Sequence, residues 1–241
     1  MSENLVLLHG FSGTHRAWDG VVECLDRERY SPLAIDLPGH GSAADAEGPI
    51  TFAGCAADVL ERSPDRFSLC GYSMGGRIAL YLALTEPARV QRLVLVSSTP
   101  GIEDAGERAA RRSSDHLLAE QLESGPFEDF IERWRTQPLF AGDPPEVAAL
   151  ARADQRRNRP EAMAAVLRGV GTGEMEPLWG RLGELTIAVT LVVGDRDERF
   201  VELAQRMLAR LADGRIEIIR GGHALLLENP KEVARAVMEG S

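Results

Sequence analysis

Three observations in the 241-residue sequence predict an α/β protein built on a mostly parallel sheet of about six strands. Short, continuous apolar runs recur at 4–8, 33–36, 67–70, 92–96, 189–193 and 216–219. Runs of that length without alternation are the pattern of strands buried on both faces. Helical patterns separate most of them, and strand–helix alternation is what parallel crossovers require. The alternation lapses between about 100 and 182, where helical patterns follow one another with no convincing strand, so a helical insertion is expected between the fourth and fifth strands.

In chain order, the run 4–8 (NLVLL) stops at His9-Gly10, and a helical pattern follows at about 17–27. The run 33–36 (LAID) feeds the turn Leu-Pro-Gly-His-Gly at 37–41, with a second helix at 52–62. The run 67–70 leads into a helix at about 75–86, and 92–96 follows it. Four helices are predicted in the insertion, at 103–123, 127–136, 144–157 and 160–169. Ser124-Gly125-Pro126, Gly142-Asp143-Pro144-Pro145 and Pro160 separate them, because proline lacks the N–H that a helix interior needs. The run 189–193 precedes a helix at about 200–211, and 216–219 precedes one at 230–238, entered through Asn229-Pro230. The expected division is a core of 1–99 and 183–241 and a helical cap of 100–182. An insertion leaving the carboxyl edge of a parallel sheet would roof the place where ligands bind in such folds.

Composition narrows the function classes. The net charge of −10 argues against a general nucleic-acid or membrane-surface partner, since both are polyanions. No apolar run approaches the roughly 20 residues that cross a bilayer. Met-Ser-Glu-Asn leads directly into the first apolar run with no basic leader, so a cytoplasmic protein is expected. Cys24, Cys55 and Cys70 show no CxxC spacing. Cys24 and Cys55 read as small buried hydrophobes in helices and Cys70 as the end of a strand, with neither a disulfide nor a metal site expected. Arginine outnumbers lysine 26 to one, a bias that accounts for most of the arginines without function.

The chemistry concentrates at Gly71-Tyr72-Ser73-Met74-Gly75, a G-x-S-x-G followed by Gly76. It lies where a strand stops and a helix begins, the context of a nucleophile elbow. The serine of such an elbow sits in a strained turn, and small neighbours let the chain pass closely. The N–H of Met74 then points to where an oxyanion would form. A turn that merely favours glycine is the bland alternative, and the flanking strand and helix argue against it. Of the histidines, His223 follows Gly221-Gly222 after the last strand, where a flexible loop lets a base approach the elbow. His9 is read as shaping the turn whose Phe11 N–H would give a second oxyanion donor, while His40 and His116 are candidates for the pocket wall. Gly194-Asp195-Arg196-Asp197-Glu198 offers the carboxylate that would orient His223. Asp197, past the turn, is chosen over Asp195, a turn-capping residue, and Asp36 is read as a turn residue.

Leu-His-Gly-Phe-Ser-Gly (8–13), Asp-Leu-Pro-Gly-His-Gly (36–41), Gly-Tyr-Ser-Met-Gly-Gly-Arg (71–77), Gly-Asp-Arg-Asp (194–197) and Gly-Gly-His (221–223) together resemble the α/β-hydrolase family over essentially the whole chain. The resemblance implies the α/β-hydrolase fold lacking the first two family strands, and the triad Ser73, Asp197 and His223. Within that family Thr-Pro-Gly-Ile (99–102), the segments 107–115 and 130–140, and Gly-Thr-Gly (171–173) resemble the 2-succinyl-6-hydroxy-2,4-cyclohexadiene-1-carboxylate synthases of menaquinone biosynthesis. These are lyases that eliminate pyruvate from a cyclohexene bearing several carboxylates, with the triad serine proposed as a base. The likeness implies Arg77, Arg111 and one arginine near Arg156 as substrate ligands, Arg157 and Arg159 competing for the last place. It implies Trp134 as the cap tryptophan, Tyr72 as a further substrate contact, and no metal or organic cofactor. An anionic substrate with several carboxylates is expensive to desolvate unless cations meet it, and arginine's planar fork suits a carboxylate. Arg108, Arg111 and Arg112 share one helix face. Yet residues 100–180 hold ten arginines and fifteen acids, so most of these arginines are expected in surface pairs. The catalytic motifs alone fit a carboxylesterase or thioesterase equally well, and Arg77 is the residue that favours the lyase. A non-catalytic binding protein is the remaining alternative.

Overall fold

The computed structural model describes residues 2–45 and 50–239. Six strands form one sheet, all parallel, in the order β2-β1-β3-β4-β5-β6. They are β1 (Glu3–Leu8), β2 (Tyr30–Ile35), β3 (Phe67–Tyr72), β4 (Val90–Val96), β5 (Val189–Gly194) and β6 (Gly214–Ile219). The unbroken apolar runs arise because both faces of the central strands are covered. Val6 and Leu8 of β1, Leu69 of β3, Leu93 and Leu95 of β4 and Leu191 and Val193 of β5 join one core cluster. The alternate residues Leu5, Leu7, Cys70, Val94, Val96 and Val192 join the other. Each fully buried aliphatic side chain contributes roughly 1.5–3 kcal/mol. Both edge strands are partly open, with Leu33 and Ile218 exposed, and Pro32 sits in edge strand β2, where a missing N–H is tolerated.

The helices are α1 (Asp19–Glu23), α2 (Phe52–Arg62), α3 (Met74–Thr85), α4 (Ala105–Ser124), α5 (Phe127–Arg135), α6 (Pro145–Gln155), α7 (Pro160–Val170), α8 (Glu198–Leu208), α9 (Leu225–Glu228) and α10 (Pro230–Met238). Helices α2, α3 and α8 supply one core cluster, and α1, α9 and α10 the other. Several starts follow local chemistry. Thr51 caps α2 by accepting from Gly54 N–H, Asp104 caps α4 by accepting from Glu107 N–H, and proline opens α6, α7 and α10. Among the described residues no helix is long and apolar enough to cross a membrane.

Between β4 and β5 lie α4 to α7, as the lapse in alternation predicts, and α4 packs chiefly on α7. Two local expectations fail. The helix expected at 17–27 is a 3₁₀ turn, His15–Trp18, followed by an α1 that stops at Glu23. Asp26 takes the chain over beyond it, its carboxylate accepting from Glu28 N–H and its carbonyl from Tyr30 N–H. Cys24, expected to be buried, caps the end of that short helix and is exposed, whereas Cys55 and Cys70 are buried.

Candidate active site

Ser73 joins β3 to α3 with φ 50°, a left-handed backbone for a residue with a Cβ. The strain is held from three directions. Ser73 N–H donates to the Val96 carbonyl at 2.8 Å, and the Ser73 carbonyl accepts from Ser98 Oγ at 2.9 Å and from Arg77 N–H at 3.2 Å. The flanking glycines are required by close approach. A Cβ on Gly75 would lie 2.5 Å from the carbonyl oxygens of Leu8 and His9, and one on Gly76 would meet the Ser98 side chain at 2.5 Å. The serine is thereby pressed out at the carboxyl edge of the sheet.

His223 reaches it from the loop after β6. Its Nε2 lies 3.1 Å from Ser73 Oγ, and its Nδ1 lies 2.7 Å from Asp197 Oδ2. A carboxylate facing Nδ1 fixes the proton there and leaves the Nε2 lone pair toward the serine hydroxyl, the arrangement a general base needs. Both His223 and Asp197 are buried, and the rings of Phe200, Tyr72 and Phe140 surround the imidazole at centroid distances of 4.7, 5.5 and 5.8 Å. Asp197 stands at the start of α8, and Asp195 is spent on the backbone, accepting from Gly221 N–H at 2.9 Å. The N–H groups of Phe11 and Met74 donate to no group among the described residues.

A cavity of about 540 Å³ opens above Ser73, roofed by residues of α5 and α7. Trp134 lines it and packs edge-on against the Phe11 ring, with the centroids 4.9 Å apart. Arg77, from the elbow helix, reaches it while only 6% exposed. Its Nη1 donates to the Val170 carbonyl at 2.7 Å, its guanidinium lies 5.6 Å over the Phe52 ring, and no carboxylate pairs with it among the described residues. Burial, and then the neighbouring charge of Arg111, pull its pKa down to about 9. Arg111 also lines the cavity and pairs with the buried Asp115 at 2.8 Å. Arg77 and Arg111 thus face the same cavity, and among the described residues Asp115 is the only carboxylate ion-paired with either, an arrangement that suits an anion.

Other expectations fall elsewhere. Arg156 does not reach the cavity: it is exposed after the end of α6 and paired with Glu128 of α5, while the inward places are taken by Asp154 and Gln155. Arg157 lies 3.7 Å from Asp154, and Arg159 pairs with Asp45. Tyr72 is also absent from the wall of the main cavity. Its ring packs against Gly10 and His223 and lines a smaller cavity behind them, and burial raises its phenol pKa. His9 Nδ1 donates to the Gly10 carbonyl while its Nε2 accepts from Leu37 N–H at 3.0 Å, which shapes the turn before Phe11. His40 packs against His9 at 4.7 Å, and burial lowers the pKa of both. His116 faces Glu174, and neither His40 nor His116 lines the main cavity. Asp36 organises a turn, accepting from His15 N–H and from the Ser42 hydroxyl.

Sequence reasoning passed over Arg196 and Arg199, which line the cavity beside Asp197. Arg196 is held by Glu228 at 2.5 Å, whereas Arg199 has no hydrogen bond or ion pair among the described residues. Ser98, which holds the elbow carbonyl, carries no motif either. Among the described residues no group of three His, Cys, Asp or Glu side chains is placed to hold a metal ion.

Residues 5–236 match the model of the alpha/beta hydrolase family. A relative from Bacillus subtilis (strain 168) is 34% identical over 99% of this chain and 90% of its own length. A 2-succinyl-6-hydroxy-2,4-cyclohexadiene-1-carboxylate synthase from Escherichia coli O1:K1 is 33% identical over 98% of this chain and 92% of its own. Among solved structures, MenH from S. aureus superposes with a TM-score of 0.92 at 31% identity, covering 99% of this chain and 92% of that one.

Proposed function

The chain belongs to the alpha/beta hydrolase family, and from that premise we propose that it is a carbon–oxygen lyase of menaquinone biosynthesis. It eliminates pyruvate from a cyclohexene bearing several carboxylates to give 2-succinyl-6-hydroxy-2,4-cyclohexadiene-1-carboxylate. Relatives of full length carry that activity in their names. The observation that carries the reading to this chain is Arg77, a buried cation with no carboxylate partner among the described residues, opening into the same cavity as Ser73. A hydrolase of neutral esters has no use for it.

In this reading Asp197 holds the His223 imidazole in the tautomer that accepts the Ser73 proton at Nε2. The serine oxygen then takes a proton from the ring carbon next to the succinyl ketone. The electron pair of the broken C–H bond moves onto the ketone oxygen, which the N–H groups of Phe11 and Met74 receive. Each such donor supplies roughly 10²–10³ in rate in acyl-transfer enzymes. Collapse of that oxyanion drives the pair through the ring double bond and breaks the bond to the enolpyruvyl oxygen. The enolpyruvate leaves, gains a proton relayed from the His223 imidazolium and becomes pyruvate, as the ring diene forms. Arg77 and Arg111 meet substrate carboxylates, Trp134 gives an apolar wall, and Arg199 at the rim supplies the cation that Arg156 does not.

Purified protein given the cyclohexene intermediate should release pyruvate and the ultraviolet-absorbing diene in equal amounts. Hydrolysis of simple esters or thioesters without pyruvate release would replace the lyase by the acyl-enzyme alternative.

A further inference from the structure

Away from Ser73, Asp197 and His223, a dense set of buried polar contacts joins the inserted helices to the loop that carries Phe11. Ser12, the next residue, has φ 62°, a backbone that non-glycine residues keep only when their surroundings over-determine it. Its N–H donates to His40 Nε2 at 3.3 Å, its carbonyl accepts from Asn158 Nδ2 at 2.7 Å, and its hydroxyl accepts from Gln155 Nε2 at 2.9 Å. Two residues on, the N–H and the hydroxyl of Thr14 both donate to the Asp154 carboxylate, at 2.8 and 2.5 Å. Asn158 also accepts from Gly41 N–H at 2.9 Å, so one side chain spans the loops after β1 and β2. Asp154, Gln155 and Asn158 are all buried, at 9, 4 and 6% exposure. Of these contacts to the loop 12–14, only the one from His40 comes from the core around it. The others come from the end of α6 and the turn behind it, about 140 residues away in sequence.

We infer that Asp154, Gln155 and Asn158 form a positioning clamp that sets the Phe11 N–H where the developing oxyanion needs it. The inserted helices then act on the chemistry as well as enclosing the substrate. The inference rests on reading the Phe11 N–H as an oxyanion donor. Such a donor works by being fixed in advance, and a displacement of about 1 Å forfeits most of its effect. None of the three clamp residues lines the cavity above Ser73, so they act on the transition state through the Phe11 loop and leave ground-state binding alone.

The test uses the full chain with Asn158→Ala and, separately, Gln155→Met, with the melting temperature of each recorded. Turnover of the cyclohexene intermediate and of a small neutral ester is compared with the affinity for the diene product. Inhibition by a phenylboronic acid, which bonds to the serine oxygen as a tetrahedral adduct, reports the oxyanion site itself. Asn158→Ala should lower kcat at least tenfold on both substrates and weaken the boronic acid by the same factor. Gln155→Met should do so at least threefold, and product Kd should change less than twofold in both. A folded Asn158→Ala whose kcat stays within threefold of wild type overturns the clamp, as does an equal weakening of product binding. If Asn158→Ala does not fold, Gln155→Met decides by the same readouts. Ser73→Ala separates the two levels: persistent turnover there overturns the reading of the site, whereas a dead Ser73→Ala beside unimpaired clamp variants overturns only the clamp.

Discussion

Replacing Arg77 by methionine should make the protein more stable and a poorer catalyst for its anionic substrate. The guanidinium is 6% exposed, its single hydrogen bond among the described residues goes to the Val170 carbonyl, and burial together with Arg111 pulls its pKa down to about 9. Burying a cation there without a carboxylate disfavours the folded state. Replacing even paired buried ions by apolar residues of similar volume is often neutral or stabilising by roughly 1–4 kcal/mol, and Arg77 has no ion pair to lose among the described residues. The Val170 carbonyl loses its donor, which costs about 1 kcal/mol, so a net gain on the order of 1 kcal/mol remains. At this chain length that raises Tm by about 2–4 °C. If Arg77 meets a substrate carboxylate as proposed, the lost contact is a charge-assisted hydrogen bond of about 1.5–3 kcal/mol, or roughly tenfold to a hundredfold in kcat/KM. Thermal melting and parallel assays of pyruvate release and neutral-ester hydrolysis read both effects. Activity should fall only on the anionic substrate while Tm rises. A fall in Tm with equal losses on both substrates would refute the reasoning and make Arg77 a structural residue.

Arg199→Ala should raise KM for the anionic intermediate about threefold to tenfold, whereas Arg156→Ala, which breaks only an exposed pair with Glu128, should leave steady-state kinetics unchanged. Asp197→Asn keeps the buried contact to His223 but disfavours the required tautomer, so kcat should fall on the order of 10³–10⁴ with little change in circular dichroism. Burial by itself would raise the Asp36 pKa, but donors from His15 N–H and from the hydroxyl and N–H of Ser42 hold it below the usual carboxylate range. A carboxyl lowered in the folded state contributes stability that is present above about pH 4, its unfolded value, and is lost as pH falls below that. Melting curves between pH 6 and 2 should show that loss in wild type, and Asp36→Asn should flatten it.

What the sequence disclosed and what it hid divide along the range of the interaction concerned. The strands were legible because both faces of β1, β3, β4 and β5 are covered, which leaves a local signature of unbroken apolar runs. The elbow was legible because its strain must be met by glycines within three residues of Ser73. Helix ends inside the insertion were marked by Pro145 and Pro160, a backbone effect that needs no tertiary partner. Arg156 lies outside the cavity because a helix face acquires meaning only once α5 lies beside α6, and Glu128 then takes the arginine outward. The place of Arg199 is not legible locally, because nothing in Asp-Glu-Arg-Phe reveals that the cavity wall runs past it. Tyr72 was adjacent in sequence to the serine, yet the alternation along β3 sends its ring behind His223.

The central claim is that Ser73, made basic by His223, removes the ring proton that starts the loss of pyruvate. Single-turnover pyruvate release from an intermediate deuterated at that ring carbon tests it directly. The account predicts a rate at least twofold slower than with the protium compound in wild type, and no release from either in Ser73→Ala. Undiminished release by Ser73→Ala, with an isotope effect unchanged from wild type, would contradict it.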